Sequence, residues 1–333
     1  MKNKSKIDVA VLLIFFCREQ QFEKVFAAVK EARPSRLYLY QDAPRKGRED
    51  DVIGCKKCRE IAENIDWECE VHRFYQENNV GCDPSEYIAQ KWMFETEDMG
   101  IILEDDDVPS QSFFPFCKEL LEKYKNDTRI NMICGMNHEG ISQDIEESYF
   151  FTRGGSIWGW ASWKRVLDTW DGSYSWLDDA EKMKILKKNI NSNRRYKLLV
   201  KNSKKHRATG REHYESINGA ACELYGRVNI VPKYNMICNI GIAKESTHAV
   251  SDIRLLPKKV QKLLYMQTYE IDFPLIHPKE IKLDLKREKN IIMTTRQIFL
   301  IKVESIFRTV KYQGLNGLFN RVKNKFRKII SKK

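Results

Sequence analysis

Four carboxylates in a row, Glu104-Asp105-Asp106-Asp107, follow the short apolar run Gly100-Ile101-Ile102-Leu103. On extended backbone, neighbouring side chains point to opposite sides, and residues two apart share a side. Glu104 can therefore act with Asp106, or Asp105 with Asp107, on one cation. Anions packed this closely repel one another unless a metal, a basic group or water offsets their charge. Oxygen-only donors suit Mg²⁺ or Mn²⁺, which keep coordination positions for substrate phosphates. The competing reading is a solvated acidic turn. Position favours function, because ligands of parallel α/β sheets bind beyond the carboxyl ends of the strands.

A second group of candidates is aromatic. Gly154-Gly155-Ser156-Ile157-Trp158-Gly159-Trp160 mixes small residues with indoles. Glycine lets backbone approach a ligand closely, and indole faces suit the apolar faces of sugar rings. The same indoles can equally fill a core. His248 follows Asn239-Ile240-Gly241, and a neutral imidazole can ligate Mn²⁺ or contact phosphate. Cys55 and Cys58 form the one C-x-x-C among nine cysteines, with no second pair at zinc-site spacing. Reduced thiols in a cytoplasmic compartment are expected.

The elements that must carry these groups alternate. Residues 8–16 read as a buried strand, 22–29 as a helix, 37–40 as a second strand, and 50–65 as a helix. Residues 69–74 read as a third strand, 84–97 as a helix and 100–103 as a fourth strand. This alternation predicts a mostly parallel sheet flanked by helices. A last apolar stretch, 228–242, precedes a basic, helical C-terminal third. Residues 184–211 are rich in Lys, Arg and Asn and are expected to form a surface excursion or mobile loop.

The chain has 333 residues, 42% hydrophobic and 31% charged. That excludes collagen-like, low-complexity and wholly disordered classes. The longest apolar run, residues 9–17, is far short of the ~20 residues needed to cross a bilayer. Lys2, Lys4 and Lys6 imitate a signal peptide, but Asp8 interrupts the pattern and Arg18 and Glu19 follow directly. The net charge is +12, and residues 308–333 contribute nine Lys or Arg with no Asp or Glu. The rest of the chain is near neutral. Leu315, Leu318, Phe319, Val322, Phe326, Ile329 and Ile330 recur at three- and four-residue steps in that tail. Such a helix suits an anionic membrane surface, or it docks on the protein. Nucleic acid is not expected, since the body offers no basic stripe interleaved with stacking aromatics.

A hydrophobic strand, then Glu104-Asp105-Asp106, then Val108-Pro109 and Phe113-Phe114 resembles nucleotide-sugar glycosyltransferases of the GT-A fold. The resemblance is to the N-acetylglucosaminyltransferase-I-like branch and to bacterial hemolytic-protein-like glycosyltransferases. It runs over about residues 7–250 and includes Phe16-Cys17-Arg18, Asp42, Asn79 with Gly81, Trp158-Gly159-Trp160-Ala161-Ser162-Trp163, Pro232, Asn235, Asn239-Ile240-Gly241 and Thr247-His248. It implies a GT-A, Rossmann-like sheet with a helical basic appendage. Residues 1–108 would be the nucleotide-sugar half, 109–250 the acceptor and catalytic half, and 251–333 a helical region.

The same resemblance implies roles. Phe16, Asp42, Asn79 and Gly81 would hold the nucleotide, and Arg18 would neutralise phosphate. Asp106 would be the principal ligand of Mn²⁺ or Mg²⁺, with His248 near it. Glu104 and Asp105 would contact nucleotide and metal waters. Trp158, Gly159 and Trp160 would line the acceptor. Asp107 stands where relatives often carry an apolar residue. An inverting displacement needs a base near the acceptor hydroxyl. Relatives tend to carry Trp-Asp-Tyr-Gln where this chain has Glu212-His213-Tyr214-Glu215, so Glu215, Glu212 and Asp178 are the candidates. The expected enzyme moves a sugar from a nucleoside-diphosphate donor to a glycan or lipid-linked acceptor in bacterial surface polysaccharide synthesis, peripheral at the inner face of the plasma membrane. The rivals are a nucleotidyltransferase or phosphohydrolase, and a non-catalytic membrane adaptor.

Overall fold

The apolar run near the start of the chain becomes a central strand. The computed structural model describes residues 2–190, 192–242, 252–291 and 295–330. In it β1 (Ile7–Phe15) is buried from Val9 onward. Its continuous apolar sequence fits a strand covered on both faces. Then follow α1 (Glu19–Ala32), β2 (Pro34–Gln41), α2 (Glu49–Ala62), β3 (Glu70–Tyr75), α3 (Cys82–Thr96) and β4 (Met99–Glu104). Phe22, Val25, Phe26 and Val29 form the buried stripe of α1, as 3.6-residue periodicity requires.

The chain continues with β5 (Asp107–Pro109), α4 (Phe113–Lys123), β6 (Ile130–Cys134), β7 (Tyr149–Thr152), β8 (Trp160–Trp163), α5 (Lys164–Leu167), α6 (Ala180–Asn189), α7 (Asn193–Arg207) and α8 (Tyr214–Leu224). Last come β9 (Val228–Pro232), β10 (Ile237–Asn239), α9 (Lys258–Gln261), α10 (Leu285–Ile291) and α11 (Thr295–Ile330).

One sheet of eight strands has the order β3-β2-β1-β4-β8-β6-β9-β7. The first four are parallel neighbours. β8 runs antiparallel between β4 and β6, β9 is parallel to β6, and β7 closes the edge antiparallel. All but β8 and β7 therefore point the same way, and the expected mostly parallel α/β sheet is present. The chain leaves β1 for β2 on one side and returns at β4 on the other. That switch in strand order opens a crevice beyond the ends of β1 and β4. Residues 16–18 and 104–107 leave those two ends. β5 pairs antiparallel with β10, setting Asn239 opposite Asp107.

Within residues 184–211, 184–189 and 193–207 are helical rather than loop. They belong to α6 and α7, whose N-termini are capped by Asp179, accepting from Glu181 N and Lys182 N, and by Ser192, accepting from Arg195 N. Lys and Arg are good helix formers. The cations Lys197, Lys201, Lys204 and Lys205 recur at helical steps on the exposed side of α7, while Ser203 is buried.

The chain divides into two compact units, Met1–Ile240 with Met266–Lys289, and Gly241–Tyr265 with Asn290–Lys333. In the second, Glu304 accepts from Lys258 N at 2.9 Å and Arg308 Nε at 2.7 Å. α11 breaks at Gly314, where φ is +67°. Among the described residues no helix is long and apolar enough to cross a membrane.

Candidate functional site

The ends of β1 and β4 meet through Arg18. Its Nε donates to Asp105 Oδ2 at 3.3 Å, its Nη2 to Asp105 Oδ1, and its Nη1 to Asp106 Oδ2 at 2.6 Å. Phe16 N donates to Asp105 Oδ2 at 3.3 Å. Asn239 Nδ2 bridges Asp106 Oδ1 at 2.9 Å and Asp107 Oδ1 at 3.0 Å. Gly159 N donates to Asp107 Oδ2 at 2.9 Å. Gly159 is needed there: its φ is +59°, and a Cβ would stand 2.3 Å from Ile237 Cδ1. Asp107 is thus a fully buried tie between the β5–β10 pair and the turn entering β8.

Two further acids join the cluster. Glu104 accepts from the Tyr214 hydroxyl at 3.3 Å. Glu86 on α3 is buried, accepts from Gln90 Nε2 at 3.2 Å, and lies within electrostatic reach of Asp105, Asp106 and Asp107. Five carboxyls therefore share one arginine. Burial, and then the neighbouring carboxylates, push Glu86, Glu104 and Asp107 well above the usual carboxyl range. Burial also raises Asp106, with Arg18 opposing the shift. Tyr214 rises through burial and the nearby Glu104.

Three of the expected nucleotide residues, Asp42, Asn79 and Gly81, come together in a separate clasp, while Phe16 joins the acidic run. Asp42 Oδ1 accepts from Ala43 N at 2.9 Å and Val80 N at 3.0 Å, and its Oδ2 from Asn79 Nδ2 and Gly81 N, both at 2.9 Å. Asp42 therefore ties the loop after β2 to the loop that starts α3. Burial raises its pKa, while the backbone donors oppose that shift.

The catalytic candidates separate. Tyr214 brings the 212–215 segment to Glu104. Glu215 is exposed in the first turn of α8. Glu212 is half-buried, with Cγ 3.5 Å from where a Cβ on Gly172 would stand. His213 Nδ1 pairs with Asp83 Oδ2 at 3.3 Å. Asp178 is exposed, its Oδ2 accepting from Arg207 Nη1 at 2.6 Å, and no hydrogen bond or ion pair joins it to the acidic run.

Of the indoles, Trp158 is half-buried. Trp160 is only 1% exposed, in β8 opposite Ile102 and stacked near Trp170. It is core and cannot line an acceptor groove from within the sheet. His248 lies outside the described residues. All nine cysteines are free thiols. A groove of about 510 Å³ lined by Ile7, Asp8, Phe114 and Lys118 opens at the start of β1, the end of the strand opposite the acidic run.

In this geometry the acids expected to bind a metal are held by protein donors. All six oxygens of Asp105, Asp106 and Asp107 accept protein N–H groups. Among the described residues no three His, Cys, Asp or Glu are grouped to hold a metal ion. Arranged this way, the acids do not fit Mn²⁺ or Mg²⁺ on Asp106, because Arg18 and Asn239 take that carboxylate.

Two contributors were not singled out from the sequence, Glu86 and Tyr214. Glu86 had a signal: it falls in phase with Ala89, Gln90 and Met93 on the buried stripe of α3, where a carboxylate is out of place unless it has work to do.

No protein-family model matches the chain, and no curated protein matches its sequence. Among solved structures it is similar to an apo UDP-glucose pyrophosphorylase, at 8% identity over 72% of this chain and 93% of that one, with a TM-score of 0.34. It is also similar to a UDP-glucose pyrophosphorylase complexed with UDP-glucose, at 10% identity over 48% and 78%, with a TM-score of 0.31. A third is 4-diphosphocytidyl-2C-methyl-D-erythritol synthase from Anaerococcus prevotii, at 11% identity over 48% and 73%, with a TM-score of 0.29. Likeness at this level assigns neither family nor activity.

Proposed function

We propose that the protein is a nucleotide-sugar-dependent glycosyltransferase, moving a sugar from a nucleoside-diphosphate donor to a glycan hydroxyl. One observation carries this reading: Arg18 and the acidic run meet in the crevice where the strand order switches, the place where α/β sheets bind nucleotides. The loops tied by Asp42, Asn79 and Gly81 stand at the ends of β2 and α3 and frame the nucleotide. Arg18 has five N–H donors and spends three on carboxylates, so two remain for a diphosphate.

In the reaction the acceptor oxygen attacks the anomeric carbon. The bond from that carbon to the diphosphate oxygen breaks, its electron pair leaves with the nucleoside diphosphate, and a base takes the hydroxyl proton. The bond from Tyr214 to Glu104 holds the 212–215 segment against the acidic run, which favours Glu212 or Glu215 over Asp178 as base. Trp158 offers a half-exposed indole face to the acceptor. The acceptor is a bacterial surface glycan, free or lipid-linked. The basic tail from Arg308, with Leu315 and Phe319 exposed, would rest on an anionic membrane at the inner face of the plasma membrane.

The test is turnover by the full chain on a panel of nucleotide sugars, with and without Mn²⁺. Release of nucleoside diphosphate, lost in Asp106→Ala, supports glycosyl transfer. Release of pyrophosphate from a nucleoside triphosphate and a sugar phosphate would instead make the chain a nucleotidyltransferase. Release of neither would leave the adaptor reading.

A further inference from the structure

We infer that Arg18 is the resident cation of this site, so that the chain grips a nucleoside diphosphate without a divalent ion. The identity of the ligand rests on the function proposed above. The cation assignment rests on geometry alone.

A metal ion held by Asp105, Asp106 or Asp107 must share an oxygen with a protein donor. Each such oxygen in the acidic run already accepts a protein donor, and three of these bonds come from one guanidinium. The acids are fixed from behind as well. Phe16 N holds Asp105, Asn239 holds Asp106 and Asp107, and Gly159 N holds Asp107. Arg18 has little freedom to leave. Its side chain is 17% exposed. It lies between the end of β1 and the start of α1, with Phe16 pinned to Asp105 two residues before it.

A planar fork that engages two carboxylates and keeps two N–H groups makes the same bridge, from acid to phosphate, that a divalent ion would make. A second guanidinium stands close to the donor loops. Arg211 is exposed, pairs with no carboxylate among the described residues, and its Nη1 lies 3.9 Å from where a Cβ on Gly81 would be.

The test uses the full chain and two readouts. Mn²⁺ binding is followed by electron paramagnetic resonance without nucleotide, and UDP and GDP binding by calorimetry in EDTA and in Mn²⁺. Wild type should show no stoichiometric Mn²⁺ site and equal nucleotide affinity in both buffers. Arg18→Ala frees Asp105 and Asp106. It should gain a Mn²⁺ site and lose nucleotide affinity in EDTA by about tenfold or more, as expected when a charge-assisted fork is removed. A stoichiometric Mn²⁺ site in the wild type, or a wild-type affinity that collapses in EDTA, overturns the inference.

If neither nucleotide binds in either buffer, the proposed function is at fault, and the comparison of Mn²⁺ binding still decides the role of Arg18. If Arg18→Ala does not fold, Arg18→Lys serves, since it keeps the charge and loses the fork. Weaker nucleotide binding in EDTA supports the assignment, and unchanged binding overturns it.

Discussion

Arg18 and Arg287 are both ringed by carboxylates, yet Asp144 beside Arg287 is shifted down while Glu86, Glu104 and Asp107 in the Arg18 cluster are shifted up. Arg287 Nη2 meets Glu139 Oε2 at 2.6 Å and Asp144 Oδ1 at 2.7 Å, its Nη1 meets Asp284, and Lys286 adds a second cation on Asp144 at 2.7 Å. Three acids there share two cations. The donors from Lys286 and Arg287 hold Asp144 well below its ordinary value. Around Arg18 five acids share one cation, and burial drives Glu86, Glu104 and Asp107 upward. The Arg287 group is close to balanced and ties the segment 266–289 to the loop after β6, which is structural work. The Arg18 group keeps an excess of buried carboxyls.

The sharpest way to break this contrast is to neutralise one acid in each group. Asp106→Ala should cut nucleoside-diphosphate release by about 10²–10³-fold, the range seen when a preorganised electrostatic group is removed. Asp284→Asn should leave turnover per folded molecule unchanged. Equal losses in both would dissolve the distinction.

Stability should reverse the order. Arg287→Ala leaves Glu139 and Asp284 without a cation while Asp144 keeps Lys286, and because Glu139 remains partly solvated the cost is about 2–3 kcal/mol, below that of a fully buried pair. Urea denaturation measures it.

Opposite pH slopes come next. The folded-state pKa of Glu86 is raised, so the folded protein holds that proton more tightly than the unfolded chain. Stability is then greatest at low pH and declines as pH rises from the unfolded value, about 4.3, toward the raised one. Asp144 is lowered, so its contribution is full above about 3.9 and lost as pH falls toward its folded value. Melting curves from acid to mildly alkaline pH should show Glu86→Gln removing part of the alkaline-side loss, which Glu104 and Asp107 share, and Asp144→Asn removing part of the acid-side loss. A steeper alkaline-side loss in Glu86→Gln would contradict the burial account. The smallest effect belongs to Lys286→Ala, which removes an exposed cation from an acid that keeps Arg287. Its melting point should move less than that of Arg287→Ala.

Much of the frame was readable because burial leaves a period. The apolar runs at 8–16 and 100–103 became β1 and β4, and the alternation around them predicted the parallel half of the sheet. The α1 stripe from Phe22 to Val29 was equally plain. The helices α6 and α7 were obscured because their exposed faces are so cationic that little apolar period remains. The Glu104–Asp107 run stood out by charge and position, and Arg18, Gly159 and Asn239 stood out by motif, but not as partners of the run. Arg18, Asn239 and Gly159 reach it from distant parts of the chain, and nothing local in the sequence records a guanidinium laid across two aspartates. Asp107 resisted interpretation for the same reason: its reason for being acidic lies in the donors of Gly159 and Asn239. Trp160 shows the reverse, since its composition suits a sugar and its register in β8 puts it in the core.

The most direct test of the central claim is the melting temperature of the full chain against a panel of nucleoside diphosphates. A ligand bound only by the folded state raises the midpoint by mass action. The site described here predicts that at least one diphosphate raises it in the wild type, and that Arg18→Ala in EDTA loses the rise. No rise with any diphosphate, or a rise that survives Arg18→Ala in EDTA undiminished, would contradict it.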